Sequence, residues 1–128
     1  MYEDFKYTEL AGKIIGCAME VHKILGSGFQ ESVYQKAMAI EMQIQEIPFA
    51  REFAMPVYYK NRLLITRRVD FLVDNIISTE LKAVHEMDDG HLNQALNYLE
   101  AYNLEIGLLI NFGSKSLQFK RLLNPKFK

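Results

Sequence analysis

The hydrophobic period of the chain changes at Pro48, and that change decides the architecture. Upstream the spacing is helical. Between Thr8 and Leu25 the apolar residues Ile14, Cys17, Ala18, Val21 and Leu25 fall on one stripe, which predicts an amphipathic helix. Gly26-Ser27-Gly28 stops it. Ser27 with Gln30 reads as a capping box. A second helix is therefore expected from near Phe29 to about Glu46, with Val33, Ala37, Ile40 and Ile44 inward. Pro48 ends it, because the residue before a proline is pushed out of helical backbone.

Downstream the pattern turns extended. Phe53 to Tyr59 is rich in β-formers and Lys60-Asn61-Arg62 reads as a turn. Leu63 to Val73 and Ile76 to Val84 follow as strands, separated near Asp74-Asn75. Asp88-Asp89-Gly90 breaks the chain, and Asp88 or Asp89 can cap a third helix over about His91 to Asn103. Leu92, Ala95, Leu96 and Leu99 form its apolar stripe. Glu105 to Asn111 contains the run IGLLI of a buried strand, and Leu117 to Leu122 is a last strand. The order ααβββαββ predicts an α/β fold: a central mixed sheet of about four to five strands flanked by helices.

Composition supports one ordinary domain. The chain has 128 residues, 49% hydrophobic and 24% charged, so residues 1–128 are read as a single domain with its own core. Its net charge of −1 gives no global electrostatic grip on nucleic acid. The basic residues Lys115, Lys120, Arg121, Lys126 and Lys128 close the chain without an acid among them. They read as a solvated tail or as a phosphate-facing edge. Cys17 has no partner for an internal disulfide and lies on the apolar stripe, so it reads as core. The acidic start MYEDFKYTEL is no secretory signal, and no apolar run approaches the ~20 residues of a membrane span. A cytoplasmic protein with no membrane partner is expected.

The polar residues of the strand region carry the chemical signal. RRVDFLVDNIISTELKAV places Asp70 in one strand and Glu80 and Lys82 in the next. Glu80 and Lys82 are two apart and share a strand face. Charges in a central strand are expensive to bury unless paired or bound to a metal. Loop length decides whether the two acids meet. With Asp74-Asn75-Ile76 as the loop, Asp70 faces Glu80. A loop of Asp74-Asn75 alone would pair Asp70 with Thr79 and turn Glu80 to the opposite face. The odd loop or a bulge is expected. Two carboxylates with the backbone carbonyl of Leu81 make a hard oxygen site suited to Mg²⁺ or Mn²⁺. A nearby lysine would orient water or neutralise charge growing on phosphorus. Spacing alone fits a solvated ion pair as well.

The wider context points to a family. The first helix junction, LGSGFQESVYQKAM, places Gly28, Glu31 and Tyr34 in the pattern G-x-x-E-x-x-Y. EVHKILGSGFQESVY, PVYYKNRLL, RRVDFLVD, ISTELKAV, HLNQALNYL and LLINFGSKSLQFKRL follow in order. Together, from roughly Val21 to Leu122, they resemble the GxxExxY family of the PD-(D/E)XK nuclease-like superfamily. The resemblance implies a restriction-endonuclease-like core with the active site where two strands diverge. By position, Asp70 matches the aspartate of the signature, Glu80 its variable acid and Lys82 its lysine. Glu31 matches a helix glutamate able to join the metal, and Gln94 a glutamine on the helix after the Glu-x-Lys strand. Val69 stands where the superfamily's name has proline, a position without a chemical role.

The residues themselves extend the list. Glu31 and Tyr34 share a helix face, and an acid in a first helical turn is also stabilised by the helix dipole. His91, Gln94 and Tyr98 lie on one face of the third helix and would border a cleft. Arg67 and Arg68 are placed to meet phosphate or to form strand-end ion pairs. The substrate-facing set is therefore Arg67, Arg68, Tyr34, His91 and Tyr98. Tyr58, Tyr59, Phe112 and Phe119 read as packing residues. The histidines lack metal-like spacing, and Gly26-Ser27-Gly28 lacks the lysine of a phosphate loop. The expected function is a Mg²⁺-dependent nuclease acting on DNA or RNA. The alternative is an inactive nucleic-acid- or protein-binding module that retains the fold. Exposed Tyr and Met positions leave room for a homodimer.

Overall fold

Residues 7–127 are described by the structure, a computed structural model. Two helices come first: α1 spans Thr8–Leu25 and α2 spans Glu31–Ile44. α1 buries Ile14, Cys17, Ala18 and Val21 of the expected stripe together with Ala11, and Leu25 is half-buried. α2 is rotated from expectation. It buries Tyr34, Met38, Ala39 and Met42, whereas Ile40 and Ile44 are exposed.

Tyr34 sets that rotation. Its ring is fully buried and stacks on Phe112 at 4.7 Å. Its hydroxyl donates to the Gly26 carbonyl at 2.6 Å and accepts from the Phe29 amide at 3.1 Å. Once Tyr34 is fixed, Met38 and Met42, one and two turns on, must face inward. The Ser27–Gln30 capping box does not form: Gln30 is the N-cap and has no side-chain capping bond.

The strands are β1 (Phe49–Tyr59), β2 (Arg62–Val73), β3 (Ile77–Lys82), β4 (Ile106–Asn111) and β5 (Gln118–Leu123), with α3 (Asp89–Ala101) between β3 and β4. They form one sheet in the order β1-β2-β3-β4-β5. Only β3 and β4 are parallel, and a parallel neighbour needs a crossover, which α3 supplies. Asp88 caps α3, its side chain accepting from His91 N while the His91 ring accepts from Asp88 N. The order ααβββαββ and the restriction-endonuclease-like α/β arrangement are as the sequence predicts.

The helices cover both faces. On one, Ile14, Tyr34, Met38 and Met42 pack against Phe71, Val73, Ile77, Leu81, Ile106, Leu108 and Ile110. On the other, Leu99 of α3 lies over Gly107, where an added Cβ would stand 3.2 Å from it. Met55, Val69 and Leu72 form a second cluster there with Tyr102 and Leu104. Among the described residues no helix is long and apolar enough to cross a membrane. Of the aromatics expected to pack, Phe112 is buried, but Tyr58, Tyr59 and Phe119 are exposed. The first two stand on a hairpin that outruns its neighbour strand.

The segment after β3 is held by one side chain. Buried Asn111 accepts from Val84 N and Gly113 N and donates to Val84 O and Gln118 Oε1, at 2.9–3.0 Å. Gln118 Oε1 also takes Met87 N at 3.0 Å. An added Cβ on Gly113 would lie 2.3 Å from Val84 O, so no larger residue fits.

Candidate active site

The β2–β3 connection is the three-residue loop. Val73 pairs with Ile77, Leu72 with Ser78 and Phe71 with Thr79, so Asp74-Asn75-Ile76 joins them. Asp74 and Asn75 have φ of 53° and 57°, left-handed backbone that these two residue types tolerate. Asp70 and Glu80 are the next opposed positions, and there the ladder stops.

The sheet opens at Asp70 on its other side too. On β1, Arg51 pairs with Phe71 and Phe53 with Val69, but Glu52, which would oppose Asp70, has φ of 50° and leaves the pairing. β2 turns over at this point. Phe71 and Val73 face α1 and α2, while Val69 and Leu72 face the Tyr102 side. The Asp70 carboxylate fills the gap. Oδ2 accepts from the Leu81 amide at 2.8 Å and Oδ1 from Gln35 Nε2 at 2.7 Å. Gln35 is itself fixed by Arg51 at 2.9 Å. Burial raises the Asp70 pKa, the two hydrogen bonds oppose that, and the Glu80 charge adds to it.

Glu31, Ser32, Gln35, Glu52 and Asp70 line an open cleft of about 300 Å³. Burial and the Asp70 charge raise the Glu31 pKa, and Lys82 draws it back. Lys82 ends β3 beside Asn111, and no ion pair among the described residues engages it. The structure thus brings Asp70 and Glu31 to one cleft, within the electrostatic reach of Lys82.

Glu80 is differently engaged. Arg67 grips both its oxygens, at 2.5 and 3.0 Å. The guanidinium lies over the Tyr98 ring at 4.2 Å and donates to Tyr102 at 3.3 Å. The Glu80 hydrogen bond raises the Arg67 pKa further. Asp70 therefore leans to α2 and Glu80 to α3. Among the described residues no three of His, Cys, Asp and Glu are grouped to hold a metal. Glu80 is thus paired with Arg67, while its charge still acts on Asp70.

The remaining candidates divide. Arg68 is exposed and donates to the Glu52 carbonyl at 3.2 Å. His91 is spent on capping α3, and Tyr98 lies under Arg67. Gln94 is exposed on α3, one turn before Tyr98. Tyr34 is a correction: it is fully buried and cannot face substrate, and it pins the α1–α2 junction instead. The amide of Leu81 serves Asp70. Cys17 is buried as expected, its thiol pushed up to about 11 by burial. Lys128 lies outside the described residues.

Sequence reasoning missed Gln35, Arg51, Tyr102 and Asn111. Gln35 follows Glu31 by four on α2, and Tyr102 follows Tyr98 by four, so helical spacing signals both. Asn111 is the polar end of an apolar strand and sits opposite Lys82.

Fold and site together define a restriction-endonuclease-like α/β domain whose acidic residues gather where two strands part. The chain belongs to the PD-(D/E)XK nuclease superfamily, whose family model matches residues 8–122. Membership suggests nuclease activity on nucleic acid. No curated protein and no solved structure matches the chain significantly.

Proposed function

We propose that the chain is a nuclease of the GxxExxY group that hydrolyses phosphodiester bonds of DNA or RNA with Mg²⁺ or Mn²⁺. The observation that carries this is the position of Asp70. It sits at a break in the sheet, between the Gln35 amide and the Leu81 N–H, sharing a cleft with Glu31.

The donor set fits a hard cation. Carboxylates line the cleft, and burial together with the Asp70 charge raises the pKa of Glu31, against the pull of Lys82, as expected of crowded acids that a divalent cation would relieve. Asp70 and Glu31 would hold the ion, with the Leu81 carbonyl, and Glu80 would join once Arg67 releases it. A divalent ion held there supplies Lewis-acid polarisation of a phosphate oxygen and lowers the pKa of a bound water. Lys82 places a positive charge beside the carboxylates, where it stabilises charge growing on phosphorus. Arg67 released from Glu80 presents a planar fork that matches a phosphate. Exposed Gln94 on α3 and exposed Arg68 on β2 would position substrate.

The Arg67–Glu80 grip also favours a second reading, an inactive binding module that keeps the fold. Cleavage of single- and double-stranded DNA and RNA with added Mg²⁺ or Mn²⁺ separates the two. Asp70→Ala and Lys82→Ala should each abolish cleavage and leave the circular dichroism spectrum unchanged. Cleavage persisting in both variants overturns the proposal. Calorimetry should show a Mn²⁺ site that depends on Asp70, and a chain that binds nucleic acid but no Mn²⁺ supports the second reading. The chain is also proposed to act as a homodimer.

A further inference from the structure

The β1–β2 hairpin outruns its neighbours. β3 covers β2 only at Phe71, Leu72 and Val73, and the Tyr102–Leu104 side covers Met55, Val69 and Leu72. From Val57 to Ile65 the ribbon stands alone among the described residues, carrying Tyr58, Tyr59, Leu63, Leu64 and Ile65 at 48–60% exposure. A two-stranded ribbon is marginal in water, and open strand edges invite another chain. The tip adds Lys60 and Arg62, and no acid occurs from Phe53 to Val69.

A complementary surface lies elsewhere on the molecule. Between α1 and α2 an open cleft of about 660 Å³ is lined by Lys13, Gly16, Cys17, Glu20, Glu41 and Ile47, among others. Its floor is small and apolar, with nothing within 4 Å of where a Gly16 Cβ would stand. Two acids, Glu20 and Glu41, face it. The one cation, Lys13, is drawn toward Glu9 at 3.9 Å. Ile40 and Ile44 are exposed on α2 beside Glu41.

We propose that this α1–α2 cleft receives the β1–β2 arm of a second copy, and that two such contacts, related by a two-fold axis, form a dimer. The arm cannot fill its own cleft. Ile47 precedes β1 and Tyr59 ends it, which puts cleft and tip on the order of 30 Å apart. Arm-to-arm pairing is disfavoured because it sets Lys60 and Arg62 against cations of the other arm. Arm-to-cleft docking sets them against Glu20 and Glu41. Half-exposed aromatic-sized side chains offer roughly 100 Å² each. Successive strand side chains point to opposite faces, so about three of the five meet one cleft; with both arms and both clefts counted they bury on the order of 1,200 Å², the lower end of a stable interface.

The test is oligomeric state by sedimentation and light scattering, which needs no catalytic activity. The intact chain should be a dimer. Leu63→Asp with Leu64→Asp should give a folded monomer. Glu20→Lys with Glu41→Lys, and separately Lys60→Glu with Arg62→Glu, should each weaken association by about tenfold or more. A chain carrying all four reversals should regain it. A monomeric intact chain overturns the proposal and leaves the arm to a partner of another kind. Failure of the fourfold variant to recover overturns the arm-to-cleft contact. Neither result touches the nuclease reading.

Discussion

The grip of Arg67 on Glu80 can be weighed by a double-mutant cycle. The pair is bidentate, and the two side chains retain 26% and 13% of their exposure. At an effective dielectric near 20, unit charges about 4 Å apart attract by ~4 kcal/mol. Partial exposure and the entropy of fixing an arginine remove part of this, and exposed pairs fall to ~0.2–1 kcal/mol. The pair should therefore couple by about 2 kcal/mol, between exposed pairs and the 3–5 kcal/mol lost when a buried pair is broken. Arg67→Met keeps the apolar stem over Tyr98 but leaves Glu80 unpaired, and should cost about 3 kcal/mol. Glu80→Gln leaves a guanidinium still stacked and hydrogen-bonded to Tyr102, and should cost about 1 kcal/mol. The double variant should lose only about 2 kcal/mol. Chemical denaturation of all four proteins gives the coupling directly. A coupling below about 0.5 kcal/mol would refute the idea that Arg67 acts as the resident counter-ion of Glu80.

Other variants probe separate parts. Burial raises the folded-state pKa of Asp70 and Glu31, so folding favours their protonated forms. Their contribution to stability is present below the ordinary carboxylate pKa and is lost as pH rises through the raised values. Asp70→Asn removes the buried charge but turns an NH2 toward one of two donors, Leu81 N–H or Gln35 Nε2, so it should remove cleavage and weaken the fall of melting temperature with rising pH above the ordinary carboxylate range. Tyr34→Phe keeps the stack on Phe112 but strips a hydroxyl from Gly26 O and Phe29 N, and should cost about 1–2 kcal/mol in urea titration. Gly113→Ala drives a methyl into the Val84 carbonyl and should cost about 3 kcal/mol or prevent folding, as expression and thermal melting will show. Asp88 has a lowered pKa from its bond with His91 N. Its cap should hold at neutral pH and be lost as pH falls through that lowered value, read as fraying of α3 by amide exchange.

Much of the fold was written in periodicity. Thr8–Leu25 is predicted residue for residue because its apolar stripe, its glycine stop and its packing agree. The rotation of α2 is not, because Val33, Ala37, Ile40 and Ile44 make a stripe as plausible as the buried one. Only the distant Phe112 and the Gly26 carbonyl, by engaging Tyr34, choose between them. The start of β1 is missed for a similar reason. Glu52 leaves the ladder, and the break hides Phe49–Arg51 from a pattern based on alternation. The register of β2 and β3 follows from loop parity, and the three-residue turn is present. Parity fixes which backbone positions oppose each other, however, and not which neighbour each carboxylate chooses. Gln35 and Arg67 make that choice from other elements, beyond the reach of local spacing.

The interrupted pairing around residue 70 makes a joint. Inboard of it, β2 is fastened to strands on both sides. Outboard, it is held by β1, by the Tyr102–Leu104 side, and by Arg67, which is bound to Glu80 of β3 and stacked on Tyr98 of α3. A load on the ribbon tip is therefore relieved at the joint, as a lever turns on its fulcrum. Arg67 rides with the lever, whereas Glu80 stays on β3, clamped by its parallel neighbour. A tilt of the ribbon would have to break the Arg67–Glu80 bonds and the Tyr98 stack together, so movement at the joint and release of the carboxylate are one event.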